Sequence, residues 1–239
     1  MKYMNRTNEV YYRTNNQNMK RNSYLSGFLS MAAWGAVIIS ILFSSCHKPD
    51  KWTQIMDSYL PGDTVQQLLL VKHTEGSNAV AEFYVKEDGA WNLVEEGAVF
   101  IGKNGLGKQK EGDMKTPVGE FTANTAFGIL PDPGTGLPYI QATSSIFGCA
   151  DSCYYNQMID TAVVHHPNCN GEHIIDYVPH YNYGLAISYN PDGIVGLGSC
   201  IYVHCKGPNP YTAGCVALDE EFMRNVLVHS DSRLRISIH

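Results

Sequence analysis

GSCIYVHCKGPNPYTAGCVALDEEF, residues 198–222, decides how this chain is read. A short β-rich run ends at His204, a Gly/Pro loop follows, and Cys215 arrives just before a helical pattern that the acidic run DEE (219–221) opens. A nucleophilic thiol belongs at such a junction. The thiolate is the reactive form, and a free cysteine with a pKa of about 8.5 is only about 3% ionised at neutral pH, so it needs a basic partner. His204 is the candidate: the loop between the two residues is long enough to fold back and set strand end and cysteine face to face. Gly214, lacking a side chain, frees the backbone to offer N–H groups to a developing oxyanion. Spacing of one Cys and one His is weak by itself, and what lies on either side must carry the reading further.

Outward from this stretch, the pattern is short strands between Gly, Asn and Asp turns. QLLLVKH (67–73), AVAEFYVKED (79–88), AWNLVEEGAV (90–99) and VFIGKNG (99–105) read as strands and hairpins, as do YGLAISYN (183–190), SCIYVHC (199–205) and RLRISIH (233–239). The last of these is expected to close the sheet. Residues 105–160 read as a loop-rich wall, punctuated by TPVG (116–119) and PDPGTGLP (131–138), too long for a bare connector. The one clear helix follows Asp219 as N-cap, with Phe222, Met223, Val226 and Leu227 on its inner side. The expected fold class is therefore mainly β with one helix after the cysteine.

Two ordered motifs give the constellation a family likeness. His204 with TAGC (212–215) and VAL (216–218), preceded by EGDMKTPVGEFT (111–122), resembles the YkuD-like L,D-transpeptidases, whose catalytic block is His, a short loop and S/T-x-G-C, with G-D-x-x-T-P-x-G-x-F/Y upstream. The resemblance covers about residues 100–238. It implies a β-sandwich-like catalytic fold and peptidoglycan chemistry without a cofactor or metal. Cys215 would attack the carbonyl at the L-centre of a stem peptide's diamino acid, expel the terminal D-alanine and form a thioester. An amine would resolve it into a 3→3 cross-link, or water would, making the enzyme an L,D-carboxypeptidase. His204 would serve as base and acid, oriented by the backbone carbonyl of Cys205; the N–H groups of Gly214 and Cys215 would form the oxyanion hole, and Thr212 would shape the loop. Ala213 and Ala217 depart from the His and Arg of many members, so those side chains cannot assist. Two other readings remain: another thiol hydrolase of wall peptides, and a non-catalytic wall-binding lipoprotein.

The N-terminus points to export. Lys20 and Arg21 precede AAWGAVIISILF (32–43), then Ser44, Ser45 and Cys46, the layout of a signal peptide. This apolar stretch of 12 residues falls short of the roughly 20 that a spanning helix needs. LFSSC resembles a bacterial lipoprotein signal, with Cys46 as the acylated residue and Phe43 a departure from the usual aliphatic residue. Met19 has the form of a start, which would leave polar residues 1–18 as an upstream extension. The organisation is then 1–46 extension and signal, 47–64 a polar linker with Pro49, Pro61 and Gly62, and 65–239 the catalytic domain. Residues 1–46 hold five Lys/Arg and one Glu, which leaves the remainder with twelve basic and twenty-two acidic residues. Such a balance argues against nucleic acid as a partner and against generic attraction to anionic lipid, so membrane attachment falls to Cys46. The expected partners are peptidoglycan stem peptides and, through lipid, a membrane.

The remaining cysteines are Cys149, Cys153, Cys169, Cys200 and Cys205. With Cys46 lipidated and Cys215 free, at most two disulfides can form. Cys149 and Cys153 are expected to bond to each other or to loop neighbours. VVHHPNCNGEH (163–173) places His165, His166, Cys169 and His173 close together, a zinc-compatible set, but the resemblance assigns no metal there and none is expected. Tyr154, Tyr155 and Tyr211 are candidates for a groove wall.

Overall fold

The computed structural model describes residues 50–59 and 64–239. The signal region and Cys46 lie outside the described residues, and no helix among the latter is long and apolar enough to cross a membrane. The protein is mainly β. After a helix α1 (Lys51–Ser58), strands β1 (Gln67–Glu75), β2 (Asn78–Glu87) and β3 (Ala90–Phe100) form an antiparallel meander. The β2–β3 hairpin turns at Asp88 and Gly89, both at positive φ (50° and 81°). A two-residue turn of that hand suits the right-handed twist of paired strands, and Asp-Gly adopts it at little cost.

The chain continues through β4 (Gly119–Gly128), β5 (Tyr139–Gln141), β6 (Ile146–Cys149), β7 (Gln157–Asp160), β8 (Gly171–His173), β9 (Gly184–Ile187), β10 (Tyr202–Cys205), β11 (Val216–Leu218), helix α2 (Glu220–His229) and β12 (Leu234–Ile238). The large sheet runs β12-β1-β2-β3-β11-β10-β9-β4, with β5 added to β4. Strand β12 then pairs on its second side with β4, Ile236 facing Leu69 in parallel register and Phe121 in antiparallel register. That closure leaves a barrel-like sheet in place of the expected β-sandwich-like arrangement, and it spares β12 and β4 an open edge. The C-terminal strand does close the sheet, as its alternation suggests.

Inside the barrel, Leu69, Val71, Phe83, Val203, Val216 and Ile236 belong to one apolar core. The α2 residues Phe222, Met223, Val226 and Leu227 join it, each burial stabilising by about 1.5–3 kcal/mol. Asp219 occupies the N-cap position, but its side chain caps nothing; it pairs with Lys206 at 2.9 Å instead. A second core lies on the other face of β9 and β10, where Phe127, Ile174, Tyr181, Tyr202, Cys200 and Cys215 pack together.

Three segments differ from expectation. The 47–64 linker contains α1, because Asp50 accepts from the N–H groups of Trp52 (2.8 Å) and Thr53 (2.9 Å) and so satisfies two donors a helix start leaves open. The helix end is tied to the hairpin: Trp91 Nε1 donates to Met56 O at 3.3 Å, and Lys86 Nζ to Tyr59 O at 3.1 Å. Residues 105–160 hold β4, whose Ala, Asn and terminal Gly residues carry little strand signal; its partners β12, β9 and β5 on both sides supply the stability. Strand β3 runs unbroken to Phe100, and beyond it isolated bridges remain, Gly102 with Thr212 and Leu106 with Thr116.

Candidate active site

Parallel pairing of β10 and β11 builds the site. The register Val203↔Val216, His204↔Ala217, Cys205↔Leu218 divides the residues between two faces, because side chains alternate along a strand. Val203, Cys205, Val216 and Leu218 point into the barrel core. Tyr202, His204, Cys215 and Ala217 take the opposite face, and His204, Cys215 and Ala217 line one cavity of about 330 Å³. The sequence-expected pair is thus brought to a common space.

His204 is buried, and its Nδ1–H donates to the carbonyl of Cys205 at 2.7 Å. A carbonyl can only accept, so this bond fixes the neutral tautomer with Nε2 unprotonated. The expected orienting role belongs to the Cys205 backbone; its thiol faces the core and donates to Tyr183 O at 3.5 Å. Tyr181 meets the imidazole edge-on at 5.4 Å and His180 lies 5.9 Å away. Burial pushes the His204 pKa down to about 4.

Cys215 Sγ accepts the Tyr202 N–H at 3.3 Å and donates to Cys200 O at 3.4 Å. Cys200 holds a positive φ of 54°, a conformation that costs a non-glycine residue energy and that belongs to the bend presenting its carbonyl to the thiol. Burial first, and the nearby Glu172 carboxylate second, push the Cys215 thiol up. Both shifts favour a neutral thiol and a neutral imidazole in the resting pair.

Both motifs meet on one atom. Thr212 Oγ1 donates to the carbonyl oxygen of Cys215 at 2.7 Å, and Thr116, from the T-P motif, donates to the same oxygen at 3.2 Å. Thr116 in turn accepts the Gly102 N–H at 2.8 Å. Beside it, Asp113 is half-buried, and the loss of water alone would raise its pKa, but the backbone N–H groups of Gln109, Lys110 and Lys115 and the Lys108 ammonium hold its carboxyl well below the usual range. These contacts explain why G-D-x-x-T-P accompanies T-x-G-C: the first motif is a brace for the second.

One expectation needs correction. The Gly214 N–H donates to Thr212 Oγ1 at 3.1 Å, so it is occupied and does not serve an oxyanion in this state. Gly214 is required for another reason: a Cβ there would sit 2.9 Å from Lys115 O and 3.0 Å from Ile201 Cδ1. Only a glycine lets the T-x-G-C turn lie this close to the brace.

Sequence reading misses Glu172, Tyr181, His180 and Lys108. Glu172 sits on β8 and lines the first cavity and a second of about 290 Å³ that Cys215 also lines. Its carboxyl receives a short hydrogen bond from the Tyr181 hydroxyl, and burial raises its pKa. Ala213 lines both cavities and Tyr211 the first; Tyr155 instead donates to Glu111 at 2.6 Å. Nothing short of the fold could bring Glu172 to Cys215, since β8 and β11 belong to separate sheets.

No family model and no curated protein matches the chain. Among solved structures it is similar to the helical cell shape determining protein Pgp2 from Campylobacter jejuni, with 20% identity, a TM-score of 0.40 and coverage of 73% of this chain and 47% of that one. A point variant of Pgp2 gives 19% identity and a TM-score of 0.41. Bd1075 from Bdellovibrio bacteriovorus shares 12% identity with a TM-score of 0.40, over 73% of this chain and 48% of that one. The chain spans about half the length of each.

Proposed function

We propose that the protein is a peptidoglycan L,D-transpeptidase of the YkuD-like type, exported and held at a membrane by lipid on Cys46. The observation that carries the reading is the common cavity of Cys215 and His204, with the His204 tautomer set by the Cys205 carbonyl and the Cys215 carbonyl held by a threonine from each motif.

In this reading, Cys215 Sγ attacks the stem-peptide carbonyl as the thiol proton passes to His204 Nε2. A neutral pair favours transfer in step with attack, because neither a buried thiolate nor a buried imidazolium need form alone. The C–N bond to D-alanine then breaks, and His204 returns the proton to the departing amine. An acceptor amine attacks the thioester, gives its proton to His204, and the thiol is regenerated. Two cavities share Cys215, Glu172 and Ala213 in their walls, which suits donor and acceptor chains that meet at the sulfur. The N–H of Cys215 is assigned to the oxyanion.

Incubation with a disaccharide-tetrapeptide, followed by mass spectrometry of the products, tests this. Release of D-alanine with a cross-linked dimer, both absent in Cys215→Ala, is the expected result. Release without dimer points to carboxypeptidase action, and a folded, reduced protein that leaves the substrate unchanged points to wall binding.

A further inference from the structure

Away from Cys215, the three-stranded sheet β7-β6-β8 gathers a second set of chemically active side chains. Strand β6 pairs with β8 in antiparallel register, Gly148 opposite Glu172 and Cys149 opposite Gly171. The Ala150 N–H continues the ladder to Asn170 O at 2.9 Å, so one step further Asp151 stands opposite Cys169. Alternation along the strand puts Cys149, Asp151 and Cys169 on one face. Their ligand atoms lie within 4.8 Å of one another, with Cys149 buried and the other two half-buried. The carboxylate is already oriented: Asp151 Oδ2 accepts from His166 Nε2 at 2.7 Å and from the Asn170 N–H at 2.9 Å.

We propose that Cys149, Asp151 and Cys169 bind a divalent ion of the zinc class, with His166 holding the carboxylate from outside and water as the fourth ligand. Two thiolates and a carboxylate are a borderline-soft donor set of the kind zinc takes. Two bonds of about 2.3 Å at a tetrahedral angle separate the sulfurs by about 3.8 Å, a spacing compatible with the gathered atoms. A Cys149–Cys169 disulfide is the competing use of the same two thiols, and the peptide map in the test below separates it from metal binding. Both thiols are free in the structure. Binding replaces two S–H bonds by two metal–sulfur bonds and releases two protons. The ion would pin the ends of β6 and β8, and those strands carry Gly148, Gly171 and Glu172 along the second cavity. The inference does not depend on the chemistry proposed for Cys215, and it reverses the expectation of no metal in this segment.

The test uses the full chain, reduced and metal-free, titrated with Zn²⁺ and separately with Co²⁺. One equivalent bound, with a sulfur-to-cobalt charge-transfer band, is expected. Affinity should collapse in Cys149→Ser and Cys169→Ser, fall about 10- to 100-fold in His166→Gln, and stay unchanged in Cys153→Ser, whose thiol is exposed. The cobalt spectrum of the unmutated protein decides the matter even where a serine variant does not fold. No bound metal, binding that survives loss of both cysteines, or a Cys149–Cys169 disulfide found in the peptide map of the freshly isolated protein would overturn the proposal.

Discussion

The hydroxyls of Thr116 and Thr212 converge on one acceptor, the carbonyl oxygen of Cys215. Each also serves the backbone of the other's surroundings: Thr116 takes the Gly102 N–H, and Thr212 the Gly214 N–H. Removing either hydroxyl leaves a buried N–H unpaired, which costs about 1–3 kcal/mol. Thr116→Val and Thr212→Val are therefore each expected to lower stability by that amount in urea unfolding. Because they share an acceptor, the double variant should depart from the sum of the singles by at least about 0.5 kcal/mol. Strict additivity would mean that the two motifs do not brace one atom.

How much of this is legible in the sequence follows from which contacts are local. Cys215 and His204 stand out because a strand end and a helix start flank the loop between them, and sequence shows such changes of pattern. The helical stripe Phe222, Met223, Val226 and Leu227 and the strand at 233–239 are readable from periodicity for the same reason. Strand β4 is not, since Ala123 and Asn124 are weak strand formers, and β4 is held by its pairing with β9 and β12. Closure of the barrel depends on β12 finding β4 as well as β1, which no local signal encodes. Helix α1 is hidden by Pro49 and Pro61 at the ends of the segment, although its cap, Asp50, is in plain view. Glu172 and Tyr181 are invisible as site residues because only the folded sheets bring them to the thiol.

A methyl group at Gly214 has nowhere to go. With Lys115 O only 2.9 Å from where a Cβ would stand, and a φ of +156°, Gly214→Ala must displace either the turn or the brace. Turnover is expected to fall by at least about 100-fold, equivalent to about 2.7 kcal/mol of transition-state stabilisation, while circular dichroism stays that of the folded protein. Activity within about threefold of the unmutated protein would contradict the close approach described here.

Burial sets the acid limit of the reaction. His204 is held neutral, its pKa lowered to about 4 from 6.5, so the base form persists well below neutrality. The acid limb of kcat/KM is expected near pH 4, and a limb at 6.5 would show an imidazole open to solvent. The same shift bears on stability. The unfolded chain binds a proton at His204 that the folded chain refuses, so the contribution is complete above pH 6.5 and is lost as pH falls through about 4. It amounts to on the order of 3 kcal/mol. His204→Gln should flatten that part of the stability profile.

Glu172 works against ionisation of the thiol. Its carboxylate is among the causes that raise the Cys215 pKa, after burial, so Glu172→Gln is expected to lower the apparent pKa for alkylation of Cys215. The amide oxygen can still accept from Tyr181, which keeps the wall in place. An unchanged or higher pKa in the pH profile of iodoacetamide labelling would remove Glu172 from the electrostatics of the site.

The central claim is that Cys215 carries the acyl group. The direct measurement is intact-protein mass spectrometry after mixing with disaccharide-tetrapeptide and acid quenching, with peptide mapping of the modified site. The expected result is an adduct equal in mass to the acylating stem without its terminal D-alanine, mapped to Cys215, absent in Cys215→Ala and much slower to form in His204→Gln. An adduct on another residue, or D-alanine release that persists in Cys215→Ala, would contradict it.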